Sequence, residues 1–193
     1  MDTLALVLTT PCLHIRGIYV ERVIDSSKRR LAFQKKVGVG LSVDEFKVKV
    51  REGGLTCHVG LRESVALIAS GLGLKLKLLE EEKPKPVLAE KPVKTGLGVV
   101  KPGYVVGVQQ VCRGVCEGGI NIKLTFEAYA EADEKDAIEI DGEPKVAFTA
   151  KPCVHGDLGT AGVILNLAPR LKTLKPGLRT MDELVKTKAY LKY

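Results

Sequence analysis

The stretch from Tyr104 to Ala130 constrains the fold more than any other part of the chain. Val105 to Val115 has the texture of a β-strand, Glu117-Gly118-Gly119 supplies a turn, and Ile120 to Ala130 returns as a second strand. This pattern predicts a long hairpin. Short strands follow at Ile138–Ile140 and Val146–Thr149, with Asp141-Gly142 between them as the expected turn.

The flanking segments alternate with helices. Asp2 is placed to cap a first helix through Leu4, Leu6, Val7 and Leu8, which Pro11 ends or kinks by removing a backbone donor. Ile18, Val20, Arg22 and Ile24 alternate with Tyr19, Glu21, Val23 and Asp25, the period of a strand. Residues 25–41 are polar, basic and Gly-containing, and are expected to form a loop. Ser42-Val43-Asp44-Glu45 is a capping box that opens a short helix closed by Gly53-Gly54. A further helix is predicted over Glu63–Leu72, and Leu74, Leu76 and Leu78 form a strand by alternation with Lys75 and Lys77. Residues 83–98, with Pro84, Pro86 and Pro92 among Glu and Lys, are expected to be an extended, arm-like connector. The last third predicts a helix from about Gly159 to Leu167 and a short one at Met181–Val185. The order implies a single α+β domain over residues 1–193. It has two layers, an open mixed or antiparallel sheet of at least four strands and helices on one face.

Composition narrows the class of function. The 193 residues, 45% apolar and 27% charged, suit one globular domain. No apolar run reaches the ~18–20 residues of a membrane-spanning helix. The N-terminus lacks a basic region before its apolar stretch, so a cytoplasmic location without a signal peptide is expected. The net charge of +7 is spread over the whole chain, and aromatics are only 5%, which argues against a nucleic-acid partner. The absence of Trp, with Asn only at Asn121 and Asn166 and abundant Lys and Glu, points to a thermophilic source. Cys12, Cys57, Cys112, Cys116 and Cys153 are expected to be free thiols. Neither Cys112-x-x-x-Cys116 nor Cys57-His58 and Cys153-x-His155 has the spacing of a structural zinc site, so no metal is expected.

A dinucleotide site needs a strand, a Gly-rich turn and a helix N-terminus in that order. Gly38-Val39-Gly40 precedes a capping Ser, and Gly71-Leu72-Gly73 ends a helix. No cofactor-binding residue is therefore expected in this chain.

Three ordered blocks carry a resemblance. They are Arg22-Val23-Ile24-Asp25-Ser26-Ser27 with Lys35-Lys36-Val37-Gly38-Val39-Gly40; His58-Val59-Gly60-Leu61-Arg62-Glu63-Ser64; and His155-Gly156-Asp157, Thr160-Ala161, Asn166-Leu167-Ala168-Pro169-Arg170, Pro176-Gly177-Leu178 and Met181-Asp182-Glu183-Leu184. Together the chain resembles the C-terminal domain of the 2,4-diaminopentanoate dehydrogenase family, NAD(P)H-dependent amine dehydrogenases related to dihydrodipicolinate reductase. The resemblance implies the substrate-binding and oligomerisation half of such an enzyme, with a fold like the dihydrodipicolinate-reductase C-terminal domain. NAD(P) is implied only through a missing or separate Rossmann domain, and the isolated chain is expected to be inactive. Met1-Asp2 resembles the end of that family's domain-boundary segment, so the chain is expected to begin where the Rossmann half ends. The dihydrodipicolinate reductases themselves carry a His-His pair and a Lys on the strand before their Ser-Gly-Thr segment. Tyr19–Ser27 has neither, so their acid and base are not carried over, and the catalytic residues stay unassigned.

An amino-acid substrate calls for cations or backbone donors at its carboxylate and carboxylates at its ammonium ends. The candidate carboxylate binders are Lys35 and Lys36 with the Gly38–Gly40 backbone; Asp25, Ser26 and Ser27 are candidates for the amine. An imidazole ordinarily titrates near neutral pH, so His58 is the candidate proton carrier. Glu63, Ser64, His155, Asp157 and Thr160 complete the candidate set, with Asn166 and Arg170 sharing a helix face. The expected partners are further copies, giving a homo-oligomer (dimer or tetramer), and a separate Rossmann subunit, with no membrane. Self-association is expected because the helix-free sheet face should be apolar. The alternatives are a non-catalytic stand-alone ligand-binding or scaffold module, or a basic nucleic-acid-associated protein.

Overall fold

The computed structural model describes residues 1–184. It is an α+β domain built on a seven-stranded mixed sheet. In chain order the elements are α1 (Asp2–Leu8), β1 (His14–Asp25), α2 (Leu31–Lys36), α3 (Val43–Arg51), α4 (Leu61–Gly71), β2 (Leu76–Glu81), β3 (Lys85–Leu88), β4 (Val93–Thr95), β5 (Gly98–Val100), β6 (Val105–Cys116), β7 (Asn121–Tyr129), β8 (Lys135–Glu143), β9 (Val146–Ala150), α5 (Gly156–Leu167) and α6 (Met181–Leu184). The predicted hairpin is β6–β7, turning through Glu117–Gly119. The sheet runs β2-β6-β7-β1-β8-β9, with β3 also paired to β6. The β1–β7 pair is parallel and the other pairs are antiparallel.

Period-2 alternation makes one face of this sheet the core. Ile18 and Val20 of β1, Ile122, Leu124 and Phe126 of β7, and Ile138 and Ile140 of β8 are all buried on it. Helix α4 packs there across β6 and β7 through Val65 and Ile68, and α1 packs on α4. The opposite face carries Tyr19, Glu21, Lys123, Thr125, Glu127, Lys135 and Glu139, with Lys135 paired to Glu21 and Gln109 donating to Glu127 at 2.6 Å. The expectation of a large apolar patch there is corrected. The Val105-Val106-Gly107-Val108 start of β6 is buried within the domain itself.

Other expectations are also revised. Residues 25–41 are not one loop, because a 3₁₀ turn over Ser26–Lys28 and helix α2 occupy most of them. The connector at 83–98 is not an arm: it supplies edge strand β3 and the β4–β5 hairpin. Pro86 is tolerated because an edge strand needs its backbone donors on one side only. Buried Gln34 ties the hairpin to α2, accepting from the Gly96 amide at 3.0 Å. Asp141-Gly142 is not a turn, since β8 continues to Glu143 and the chain reverses at Pro144-Lys145. Gly142 serves close approach: a Cβ there would lie 2.4 Å from the His14 carbonyl oxygen. Asp2 lies inside the first turn of α1, behind Met1. Ser42 and Glu45 do form the full capping box of α3. Of the predicted terminal helix, Val185 lies outside the described residues.

Candidate functional site

A cavity of about 310 Å³ opens on the helix side of the sheet, where β1 and β7 end. Its cationic wall is Arg22, Lys28, Arg29 and Arg30, its apolar wall Ile24, Phe33 and Phe126, and His58, His155, Gly156 and Asp157 complete it. These residues come from segments far apart in sequence, and four buried or half-buried polar side chains, Gln110, Arg22, Asp136 and Gln34, fix their relative positions.

Gln110, 4% exposed on β6, holds both backbone groups of His58. Its Oε1 accepts from the His58 amide at 2.7 Å, and its Nε2 donates to the His58 carbonyl at 3.1 Å. The His58 ring stacks on Phe126 with centroids 4.2 Å apart. Arg22 stands on the inward face of β1 beside Asp136 of β8, with Nε 3.5 Å from Oδ1. Arg22 donates to the Val154 carbonyl, and Asp136 accepts from the Val154 amide at 2.9 Å. The pair thus holds the residue before His155. Gln34 donates to the Arg29 carbonyl at 2.8 Å and fixes the basic turn.

Burial, followed by the positive charges of Lys36 and Arg22, holds the His58 imidazole below its ordinary range. His58 is therefore neutral at neutral pH and its ring can accept a proton. The unfolded state binds that proton more readily, so this contribution to stability is complete above the unfolded value of about 6.5. It is lost as pH falls through the lower folded value. A proton NMR titration of the folded chain is expected to place the His58 midpoint below the ordinary imidazole value of about 6.5; a midpoint at or above that value would contradict the burial argument. The neighbouring Cys57 thiol is pushed up to about 11 by burial, against the pull of Lys36, and is no nucleophile.

The sequence-predicted candidates divide. His58, His155 and Asp157 line the cavity, and Lys36 acts on it through its charge. Lys35 is exposed at the end of α2. Asp25 is buried and occupied: it accepts from the Ser27 amide and hydroxyl and the Glu131 amide, and Lys28 pairs with it at 3.4 Å. Ser26 is buried against the Val106 carbonyl. These three residues form the strand-ending turn and do not line the cavity. Glu63 is exposed on α4, and Ser64 donates to Asp2 at 2.9 Å, joining α4 to α1. His155, not Asp157, caps α5, which begins at Gly156 instead of Gly159. Thr160 donates to the Gly156 carbonyl and faces a second cavity of about 520 Å³ between α1, β9 and α5. Asn166 and Arg170 are exposed and do not share a helix, because α5 ends at Leu167.

Sequence reasoning missed Arg22, the Lys28-Arg29-Arg30 run, Phe33 and Phe126 as cavity residues. Arg22 carried a usable signal, a charge in register with Ile18, Val20 and Ile24 on the buried side of a strand. Among the described residues no cluster of three or more His, Cys, Asp and Glu is placed to hold a metal ion, and no helix is long and apolar enough to cross a membrane.

Residues 1–192 match the family described as the 2,4-diaminopentanoate dehydrogenase C-terminal domain. The chain is 30% identical over 189 residues to a 2,4-diaminopentanoate dehydrogenase of Acetoanaerobium sticklandii, covering 95% of this chain and 54% of that protein. It therefore spans about half the length of the curated relative it matches. Among solved structures, the amine dehydrogenase from Mycobacterium smegmatis superposes over 100% of this chain and 57% of its own, with a TM-score of 0.80 at 20% identity, a likeness of fold.

Proposed function

The chain belongs to the 2,4-diaminopentanoate dehydrogenase C-terminal domain family, and from that premise we propose that it is the substrate-binding and oligomerisation half of an NAD(P)H-dependent amine dehydrogenase. The observation that carries the reading is the cavity itself. Arg29 and Arg30 have no carboxylate partner among the described ion pairs, and with Arg22 and Lys28 they concentrate positive charge over an apolar wall. That arrangement suits a short amino acid whose carboxylate meets the guanidinium forks while its alkyl chain lies on Phe33 and Phe126. Asp157, which also lines the cavity, suits an ammonium group. His58, neutral and stacked on the cavity wall, is placed to take the proton released when a C–NH₂ group is oxidised. The hydride acceptor, NAD(P), belongs to polypeptide outside these residues.

Titration calorimetry with 2,4-diaminopentanoate tests this. The chain is expected to bind it, and pentane-2,4-diamine, which lacks the carboxylate, to bind at least ~10-fold more weakly. Arg30→Ala is expected to erase that difference. Equal binding of the two compounds by the unmodified chain would sink the assignment. The oligomerisation half of the proposal rests on the helix-free sheet face, whose charges of both signs suit a two-fold contact. Light scattering at tens of micromolar is the check, and a 20.9 kDa monomer would refute it.

A further inference from the structure

Strand β6 buries one polar side chain in an otherwise apolar row. Val106, Val108, Gln110, Cys112 and Cys116 recur with period 2 on its helix-facing side, and all five are buried. An aliphatic residue would fill the position of Gln110 without the cost of desolvating an amide. The amide is tolerated because its hydrogen bonds are made. Both go to the backbone of one residue, His58, whose N–H donates to Oε1 and whose carbonyl accepts from Nε2. A primary amide carries an acceptor and a donor side by side, so Gln110 satisfies both backbone groups of His58 as a neighbouring strand would.

The ring of the same residue is held from the next strand. Phe126 of β7 is the direct cross-strand partner of Gln110, and the His58 imidazole stacks on it with the planes 19° apart. One register pair of the sheet thus grips His58 at two points, backbone and imidazole. The segment around His58 has no ladder of its own. Residues 55–60 lie in neither helix nor strand, and the chain passes twice through the left-handed region, at Cys57 with a φ of 44° and at Gly60 with a φ of 108°.

We propose that Gln110 and Phe126 are positioning residues for His58, the one fixing its backbone and the other its ring, so that the imidazole is aimed into the cationic cavity. That His58 takes up a proton there rests on the amine dehydrogenase reading above; the two-point grip does not. Gln110 is not among the residues lining the cavity and acts through His58 alone.

Proton NMR of the imidazoles tests this, because His14, His58 and His155 are the chain's three histidines. Stacking on Phe126 should displace the His58 ring protons upfield of the ordinary imidazole position. Gln110→Met keeps the side-chain length and removes both hydrogen bonds. Most of the displacement should then be lost, while the His14 and His155 signals stay in place. Phe126→Leu should abolish the displacement by removing the ring itself. In the unmodified chain the His58 amide should exchange its hydrogen on the order of 100-fold more slowly than that of Val59, a residue 70% exposed. The exchange measurement needs no variant, so it decides the backbone grip even where Gln110→Met melts early. His58 signals unmoved by either substitution, a change shared equally by all three histidines, or equal exchange at His58 and Val59 would overturn the proposal. Calorimetry with 2,4-diaminopentanoate separates the two readings. If the amino acid fails to bind while the His58 signals respond as expected, the substrate assignment falls and the positioning stands; binding without that response removes the positioning alone.

Discussion

Asp136→Ala is expected to cost about 3–5 kcal/mol of folding stability, the range for removing one member of a buried ion pair. The side chain of Asp136 is 1% exposed and that of its partner Arg22 is 22% exposed. Removing the carboxylate leaves the guanidinium without a counter-charge and the Val154 amide without its acceptor. Urea denaturation should show the loss as a lower midpoint at unchanged slope. A second variant separates charge imbalance from loss of volume. Replacing the pair together, Asp136→Leu with Arg22→Met, should recover most of the stability, because an apolar pair leaves no uncompensated ion. On the proposed reading of the cavity, the double variant is expected to bind 2,4-diaminopentanoate more weakly, since Arg22 lines the cavity and holds Val154 ahead of His155. A single variant as stable as the unmodified chain would show that the pair contributes nothing to the fold.

That pair also shows where sequence reasoning stops. Local periodicity placed Arg22 in a strand and in phase with Ile18, Val20 and Ile24, so its inward direction could be read. Its partner could not, because β1 and β8 are joined only through more than a hundred residues of intervening chain. The parallel pairing of β1 with β7 is hidden for the same reason: strand texture is a property of a segment, whereas neighbourhood in a sheet is a property of the whole chain. The β6–β7 hairpin was accessible because its turn and its strands are contiguous. The capping box at Ser42 was accessible because both of its hydrogen bonds span three residues. The 83–98 segment misled because prolines and charges mark both linkers and edge strands, and only the free edge of β6 decides between them. At the site, His58, His155 and Asp157 stood out as chemistry-bearing residue types. Gln110 and Gln34, which position the cavity walls, did not. An amide buried to hold another segment's backbone has no local signature, and its partner lies 52 residues away for Gln110.

Gly107→Ala is expected to be the most damaging single methyl group that can be added to the sheet. Gly107 sits on β6 opposite Tyr129 of β7. A Cβ at this position would lie 2.0 Å from the Ala128 carbonyl oxygen and 2.4 Å from the Tyr129 Cα. Both are backbone atoms, so no rotamer change relieves the contact, and the two strands must separate. Val106 and Val108 on either side are buried, which leaves the strand no room to slide. Overpacking ordinarily costs about 1–3 kcal/mol, and a clash borne by paired backbone should reach or exceed the upper end of that range. Gly162 provides the contrast. No atom lies within 4 Å of a Cβ built there, and its backbone is helical, so Gly162→Ala should be neutral or slightly stabilising. Circular dichroism melts of the two variants measure the difference directly. A Gly107→Ala chain that melts with the unmodified one would mean that β6 and β7 do not approach each other as closely as their register requires.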